Sequence, residues 1–215
     1  MNKQNIPPDI TYHAQIGQDQ YYIENLAPEK GIFLDIGAHD GIFNSNTYAL
    51  EKYLGWSGTC IEANAQLFQQ LQSNRSCTCI HGAAWKESTV LTMEIPSVDT
   101  ETILGSELGR VKDIGLTSFN DRFEKDTIIS EVQAFKVFEK IDHSQTIDYL
   151  SLDVEGVELE VLEGLCLDKL DIRFMSIEYD HHPGGAQAFE NFLAPYGYKV
   201  HRFNRWDIEF EKIKK

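Results

Sequence analysis

"FLDIGAHDGIFNSNT", residues 33–47, opens as an apolar run, stops on Asp35, turns through Gly37 and Gly41, and ends in a polar patch suited to starting a helix. Strand, glycine turn and helix recur on either side. Residues 32–36 read as a buried strand and residues 45–53 as a helix capped by Asn44 or Ser45. A second strand, 58–61, ends on Glu62; a helix, 65–73, follows; a third strand, 78–81, runs into Gly82, Ala83 and Ala84. The alternation resumes with a strand at 147–152 ending on Asp153, a helix at 156–165 and a strand at 173–177 ending on Glu178. A helix at 186–193 precedes two strands, 198–203 and 208–213, expected to close the sheet as an antiparallel pair. A helix at 18–26, stopped before Pro28, precedes the whole series. The order predicts a doubly wound α/β domain with a mostly parallel sheet. Residues 86–146 break the alternation; 90–95 and 134–138 read as strands there, and 105–126 as turn-rich and charged. That segment is expected to be an insertion facing the substrate within one domain spanning 1–215.

The 215 residues carry 34 Asp and Glu against 19 Lys and Arg, a net charge of -15. Such a surface repels phosphate backbones and anionic lipid, so nucleic acids and membranes are excluded as expected partners. The first residues, MNKQNIPPDITYH, lack the apolar core of a signal peptide, and no apolar run approaches the roughly 20 residues of a membrane helix. Cys60, Cys77, Cys79 and Cys166 read as free thiols, three of them in apolar or β-like stretches, which fits a reducing cytoplasmic setting. Oligomeric state is not legible.

Ligands of open α/β sheets sit beyond the carboxyl ends of the strands. Here those ends carry Asp35, Glu62, His81-Gly82, Asp153 and Glu178 in order. The first loop reads Gly37-Ala38-His39-Asp40-Gly41 rather than G-x-G-x-x-G, and Asp40 would set an anion near a phosphate. This argues against NAD and FAD and favours a cationic ligand without phosphate, such as S-adenosylmethionine. Glu62 follows Gly41 by 62 − 41 = 21 positions, close to the roughly 20 at which an acid receives ribose hydroxyls.

The chain resembles the FkbM-type S-adenosylmethionine-dependent O-methyltransferases, a class I, Rossmann-like fold. The resemblance is carried by AQIGQDQ (14–20), the 33–47 stretch, GWSGTCIEAN (55–64), NRSC (74–77), IDYLSLDVEGVELEVLEGL (147–165), SIEYD (176–180) and YGYKV (196–200). The family often has proline after the ribose acid, where this chain has Ala63. The resemblance implies that Asp35, Gly37, Ala38, His39 and Gly41 frame the methionine end of the cofactor. Glu62 and Ala63 would hold the ribose, and Ala83 and Ala84 would lie against the adenine. Asn46 and Thr47 serve either as helix caps or as ligands of the cofactor carboxylate. Gln15, Gln18 and Asp19 match the family's N-terminal motif, which implies that residues 1–30 form an arm over the site.

Methyl transfer is an in-line displacement, and the attacking hydroxyl must shed a proton. Asp153, Glu178, His181 and His182 are the candidate catalytic groups. Asp153 and Glu178, on neighbouring strand ends, could also bind Mg²⁺ or Mn²⁺ through hard oxygens. The expected acceptor is a hydroxyl of a sugar in a glycan or glycosylated metabolite. A carboxyl or amide of a small metabolite, or a non-catalytic cofactor-binding module, are the alternatives.

Overall fold

The structure, a computed structural model of the 215-residue chain, describes residues 6–96, 110–112 and 127–213. Helix α1 (Gln18–Asn25) leads into β1 (Ile32–Ile36), α2 (Tyr48–Leu54), β2 (Ser57–Glu62), α3 (Ala65–Asn74) and β3 (Thr78–His81). Four strands come next: β4 (Ala83–Ala84), β5 (Thr89–Pro96), β6 (Arg110–Val111) and β7 (Thr127–Phe135). The chain then returns to alternation with β8 (Tyr149–Leu152), α4 (Glu158–Gly164), β9 (Phe174–Glu178) and α5 (Gly185–Leu193), and ends in β10 (Tyr198–Asn204) and β11 (Asp207–Lys212).

The main sheet has seven strands in the order β10-β11-β9-β8-β1-β2-β3. Strands β3, β2, β1, β8 and β9 run parallel; β11 is antiparallel to both β9 and β10. This is the doubly wound α/β architecture expected, including the closing antiparallel pair. Successive residues of the central strands feed opposite faces. Phe33, Tyr149 and Phe174 join Tyr22, Leu50 and Leu71 in one core, while Leu34, Leu150 and Met175 join Val161, Leu162 and Phe189 in the other. Both faces of β8 and β9 are buried, so their sequences are apolar runs without alternation. Each such large apolar side chain contributes about 1.5–3 kcal/mol by leaving water.

Chain order reverses between β1 and β8: β1 hands on to β2 on one side and β8 to β9 on the other. A crevice opens at such a point. The register Leu152↔Ile177 and Glu178↔Asp207 sets the ends of β8, β9 and β11 side by side, bringing Asp153, Glu178 and Asp207 to one edge.

The 86–146 region holds more strand than its sequence suggests. β7 begins at Thr127 and ends at Phe135, and residues 137–139 form a 3-10 turn instead of prolonging a 134–138 strand. β7 pairs with β5 along eight residues and in parallel with β4, giving a second sheet ordered β4-β7-β5-β6. Its inner face, including Leu91, Met93, Val132 and Ala134, packs on Val157 and Ala63. The turn-rich 105–126 stretch lies outside the described residues except for 110–112. Among the described residues no helix is long and apolar enough to cross a membrane.

The helix read at 45–53 begins instead at Tyr48. Ser45 Oγ accepts from the Thr47 and Tyr48 amides, and the Thr47 hydroxyl is directed elsewhere, so residues 45–47 form a turn ahead of the helix. The helix read at 156–165 likewise starts late, at Glu158, whose carboxylate folds back to accept from the amides of Val154 and Gly156.

Candidate functional site

A cavity of about 390 Å³ opens at the β1/β8 switch point, within the usual range for small-molecule sites. Asp35, Gly37, Ala38, His39, Asn46, Glu62, Ala63, Ala83 and Ala84 line one end. Asp153, Glu178, His181 and Gln18 line the other. Of the residues singled out in the sequence, Asp19, Gly41, Thr47, His81 and His182 stand outside the lining. Gly41 (φ 85) packs under the loop, where a Cβ would lie 2.7 Å from both Arg75 Cγ and Leu71 Cδ1. Thr47 is fully buried beneath Asp35. His182 Nδ1 accepts from the Gly184 amide and braces the start of α5.

Gly37 is required by the protein itself rather than by a ligand: at φ 86, an added Cβ would collide with the Asp153 carbonyl oxygen. The loops after β1 and β8 therefore touch backbone to backbone. Three non-glycine residues at the cavity also hold left-handed backbone: His39 (φ 53), Asn44 (φ 53) and Glu155 (φ 59). Such conformations cost on the order of 1–3 kcal/mol and concentrate at functional sites.

Glu62 is buried at the end of β2. Its Oε2 accepts from the His39 amide at 2.9 Å and its Oε1 from the Asn64 amide at 2.7 Å. Burial pushes its pKa up to about 7, against the lowering effect of those two N–H groups. Asn64 does double duty, capping α3 through Oδ1. Asn46 donates from Nδ2 to Ser151 Oγ at 3.0 Å, while its Oδ1 is buried, without a hydrogen-bond partner, at the cavity wall. An unfilled acceptor beside the buried Asp35 suits the ammonium of an amino-acid moiety.

Arg75 supports this end from below, a role that the NRSC segment did not disclose. The side chain is buried, donating from Nε to Glu51 (2.5 Å), from one terminal nitrogen to the Gly41 carbonyl (3.1 Å), and from the other to Thr47 Oγ1 (3.0 Å). Thr47 in turn donates to Asp35 Oδ2 at 2.5 Å. Burial raises the Asp35 pKa, with the Arg75 charge and the Thr47 hydroxyl opposing it. Gln18 is a latch: its Nε2 donates to Asp207 Oδ2 at 2.7 Å and its Oε1 accepts from the Ile16 amide.

The far end is acidic. Asp153, Glu155, Glu178, Asp180 and Asp207 line it with His181 and Trp206. Burial drives the Glu178 pKa far up, and the charges of Asp153, Glu155 and Glu158 add to it. Asp207 and Trp206 begin or precede a strand without any local motif and were not anticipated. The inserted segment reaches the cavity through Met93 and Val111.

The model of the Methyltransferase FkbM domain matches residues 35–200. The chain belongs to the FkbM methyltransferase family. The matched range runs from the last two residues of β1 through β9, while Gln15, Gln18, Trp206 and Asp207 of the cavity lie outside it. The fold is shared with an FkbM methyltransferase of Methylobacillus flagellatus KT, at 15% identity and a TM-score of 0.56, over 93% of this chain and 48% of that one. It is also shared with TrmK of M. capricolum, in complex with S-adenosylhomocysteine, at 13% identity and a TM-score of 0.50, over 94% of this chain and 70% of that one. The chain thus spans about half the length of the Methylobacillus protein. No curated protein matches it. The FkbM domain is a class I S-adenosylmethionine-dependent methyltransferase domain, and the buried Glu62, the glycine turn and the orphan Asn46 oxygen suit that cofactor.

A pH dependence follows from Glu62. Its folded pKa, about 7, lies above the ordinary 4.5, so the folded state holds the proton more tightly than the unfolded chain. Its stabilising contribution is full below about pH 4.5 and is lost as pH rises through 7, a change of at most about 3 kcal/mol. The ligand-free domain should therefore lose stability between about pH 5 and pH 8, and Glu62→Gln should flatten that slope. Adenosylhomocysteine affinity should run the other way, rising with pH as the carboxylate ionises to accept ribose hydroxyls. Urea melts and calorimetry across this range check both; parallel slopes for wild type and Glu62→Gln would remove Glu62 as the cause.

Proposed function

We propose that the protein transfers the methyl group of S-adenosylmethionine to a hydroxyl of a sugar, in a glycan or glycosylated metabolite. The observation that carries this reading is the acidic part of the cavity lining, to which Asp153, Glu178, Asp180 and Asp207 contribute with Trp206. A polyol presents many O–H donors and an apolar C–H face. Carboxylates accept the first in short charge-assisted bonds, and an indole covers the second. An anionic carboxyl acceptor would instead be set against this cluster of acids. The net charge of -15 weighs equally against nucleic acid and anionic membrane. Free cysteines at all four positions support a reducing, cytoplasmic setting.

The bound cofactor supplies an electrophilic methyl on a sulfonium. Asp35, Asn46 and Glu62 would hold its amino-acid and ribose ends, and Ala83 and Ala84, small and buried, would leave room for the base. Asp153 faces the acceptor side and would take the hydroxyl proton. A divalent cation held at this acidic end, with Glu178 among its ligands, would relieve the repulsion between the acids and acidify the hydroxyl.

Incubation with labelled S-adenosylmethionine and a panel of saccharides and glycosides should give a product heavier by one CH₂. Trp206→Ala should raise the acceptor KM about tenfold, the loss of roughly 1.4 kcal/mol of stacking, with adenosylhomocysteine affinity unchanged. Methylation of protein or nucleic acid with every saccharide untouched would sink the sugar reading.

A further inference from the structure

The acidic end of the cavity contains two overlapping sets of potential ligands, Asp153/Glu158/Glu178 and Glu155/Glu178/His181, each with its ligand atoms within 4.8 Å of one another. The two sets are not equivalent. Glu158 is fully buried off the cavity lining, and its Oε1 already receives the Val154 and Gly156 amides. Glu155, Glu178 and His181 all line the cavity.

His181 Nε2 stands 3.6 Å from Glu178 Oε1 and 3.8 Å from Glu155 Oε2. Both distances exceed a hydrogen bond of about 2.7–3.2 Å. They approach the separation of neighbouring ligands around one ion, about 3.0–3.4 Å for bonds near 2.1 Å. Glu178 supplies an independent sign. It is 9% exposed, it lines the cavity, and its Oε2 is buried with no N–H or hydroxyl donor against it and the acid of Asp153 as neighbour. Glu155 is held in left-handed backbone (φ 59) beside it. A proton shared with Asp153 would relieve one pair of like charges; a cation relieves all three acids together.

We infer that Glu155, Glu178 and His181 bind one divalent ion of the borderline transition-metal class, Mn²⁺, Fe²⁺ or Zn²⁺, in preference to Mg²⁺ or Ca²⁺. The imidazole nitrogen decides the class, because Mg²⁺ and Ca²⁺ take oxygen ligands whereas the later divalent metals accept mixed nitrogen and oxygen sets. This deepens the proposed function, on which it rests, and moves the cation one step from the Asp153/Glu178 pair. Asp153 then stays with the acceptor.

The test is titration of the tag-free full chain with Mn²⁺, read by the loss of the free-ion paramagnetic signal, and in parallel with adenosylhomocysteine by calorimetry. Saturation at one Mn²⁺ per chain is expected, with Mg²⁺ at equal concentration displacing little of it. His181→Ala and Glu155→Gln should each weaken Mn²⁺ binding about tenfold or more, by comparison with the 10–100-fold typical of residues that merely support a ligand. Asp153→Asn should leave it within about twofold, and circular dichroism checks that each variant is folded. Wild type that binds adenosylhomocysteine but no Mn²⁺ overturns the inference, as does loss of the ion in Asp153→Asn with full retention in His181→Ala. Wild type that binds Mn²⁺ but not adenosylhomocysteine supports the metal site and overturns the proposed function.

Discussion

Arg75→Ala should destabilise the fold by about 3–5 kcal/mol, the range for removing one partner of a buried ion pair. The reason is what the substitution leaves behind. Glu51 accepts from Arg75 and from the backbone and side chain of Ser76. Burial alone would raise its pKa, but those hydrogen bonds and the Arg75 charge hold it below the ordinary value. Asp35, buried at the end of β1, draws its nearest positive charge from the same guanidinium through Thr47. Truncation strands both carboxylates and leaves the Gly41 carbonyl short of a donor. For a chain of this size the loss corresponds to a fall in Tm of about 6–20 °C, at 2–4 °C per kcal/mol. Cofactor affinity should fall as well, because Arg75 pins Gly41 and Thr47 at the two ends of the segment that carries Asn46 and directly follows the His39 turn. Arg75→Lys should recover only part of this, since a single ammonium cannot span Glu51, Gly41 and Thr47 in fixed geometry. Urea midpoints decide it: an Arg75→Ala chain within about 0.5 kcal/mol of wild type, the range of an ordinary surface change, would refute the bracing role.

Arg75 also shows where sequence reading stops. The central strands were legible because both their faces are buried, so 32–36, 147–152 and 173–177 are short apolar runs ending on acids. The strand-end acids were legible because parallel register delivers them to one edge without further information. β7 is not, because Thr127–Phe135 carries Glu131 and Gln133 on its solvent face, polar Ser130 on its inner face, and exposed Ile128 and Ile129 at its start, which blurs alternation. Gly41 reads as framing the cofactor and Thr47 as either a cap or a cofactor ligand, because a polar residue after a glycine turn looks the same whether it faces a ligand or the protein. The Arg75 that holds both lies 28 and 34 positions away, beyond any local pattern. Asp207 and Trp206 reach the cavity only through the antiparallel return of β11 beside β9, a placement that no local pattern announces.

Asp153→Asn should lower turnover by about 10²–10⁴-fold, the usual worth of a positioned general base, while leaving adenosylhomocysteine affinity within about twofold. The assignment rests on how the other candidates are occupied. His182 is turned to the Gly184 amide and stands off the cavity. Glu178 is buried among acids that drive its pKa far up, so without a cation it holds its proton, and with one it is a ligand. Either way it is a poor base. His181 lines the cavity with its Nε2 beside Glu155 and Glu178, where a bound cation would occupy that nitrogen. Asp153 remains at the exposed mouth of the crevice, directly after β8 and in register beside Glu178. Its backbone is fixed there by the contact of its carbonyl with Gly37, so the carboxylate is presented from the loop that also borders the cofactor end. Asparagine preserves size and hydrogen bonding but cannot take a proton. A base acting on the acceptor lowers kcat and kcat/KM together, whereas a cofactor ligand would raise the cofactor KM. Single-turnover methylation with saturating S-adenosylmethionine separates the two. Turnover in Asp153→Asn within tenfold of wild type would return the proton to solvent or to His181, and His181→Ala in the same assay would say which.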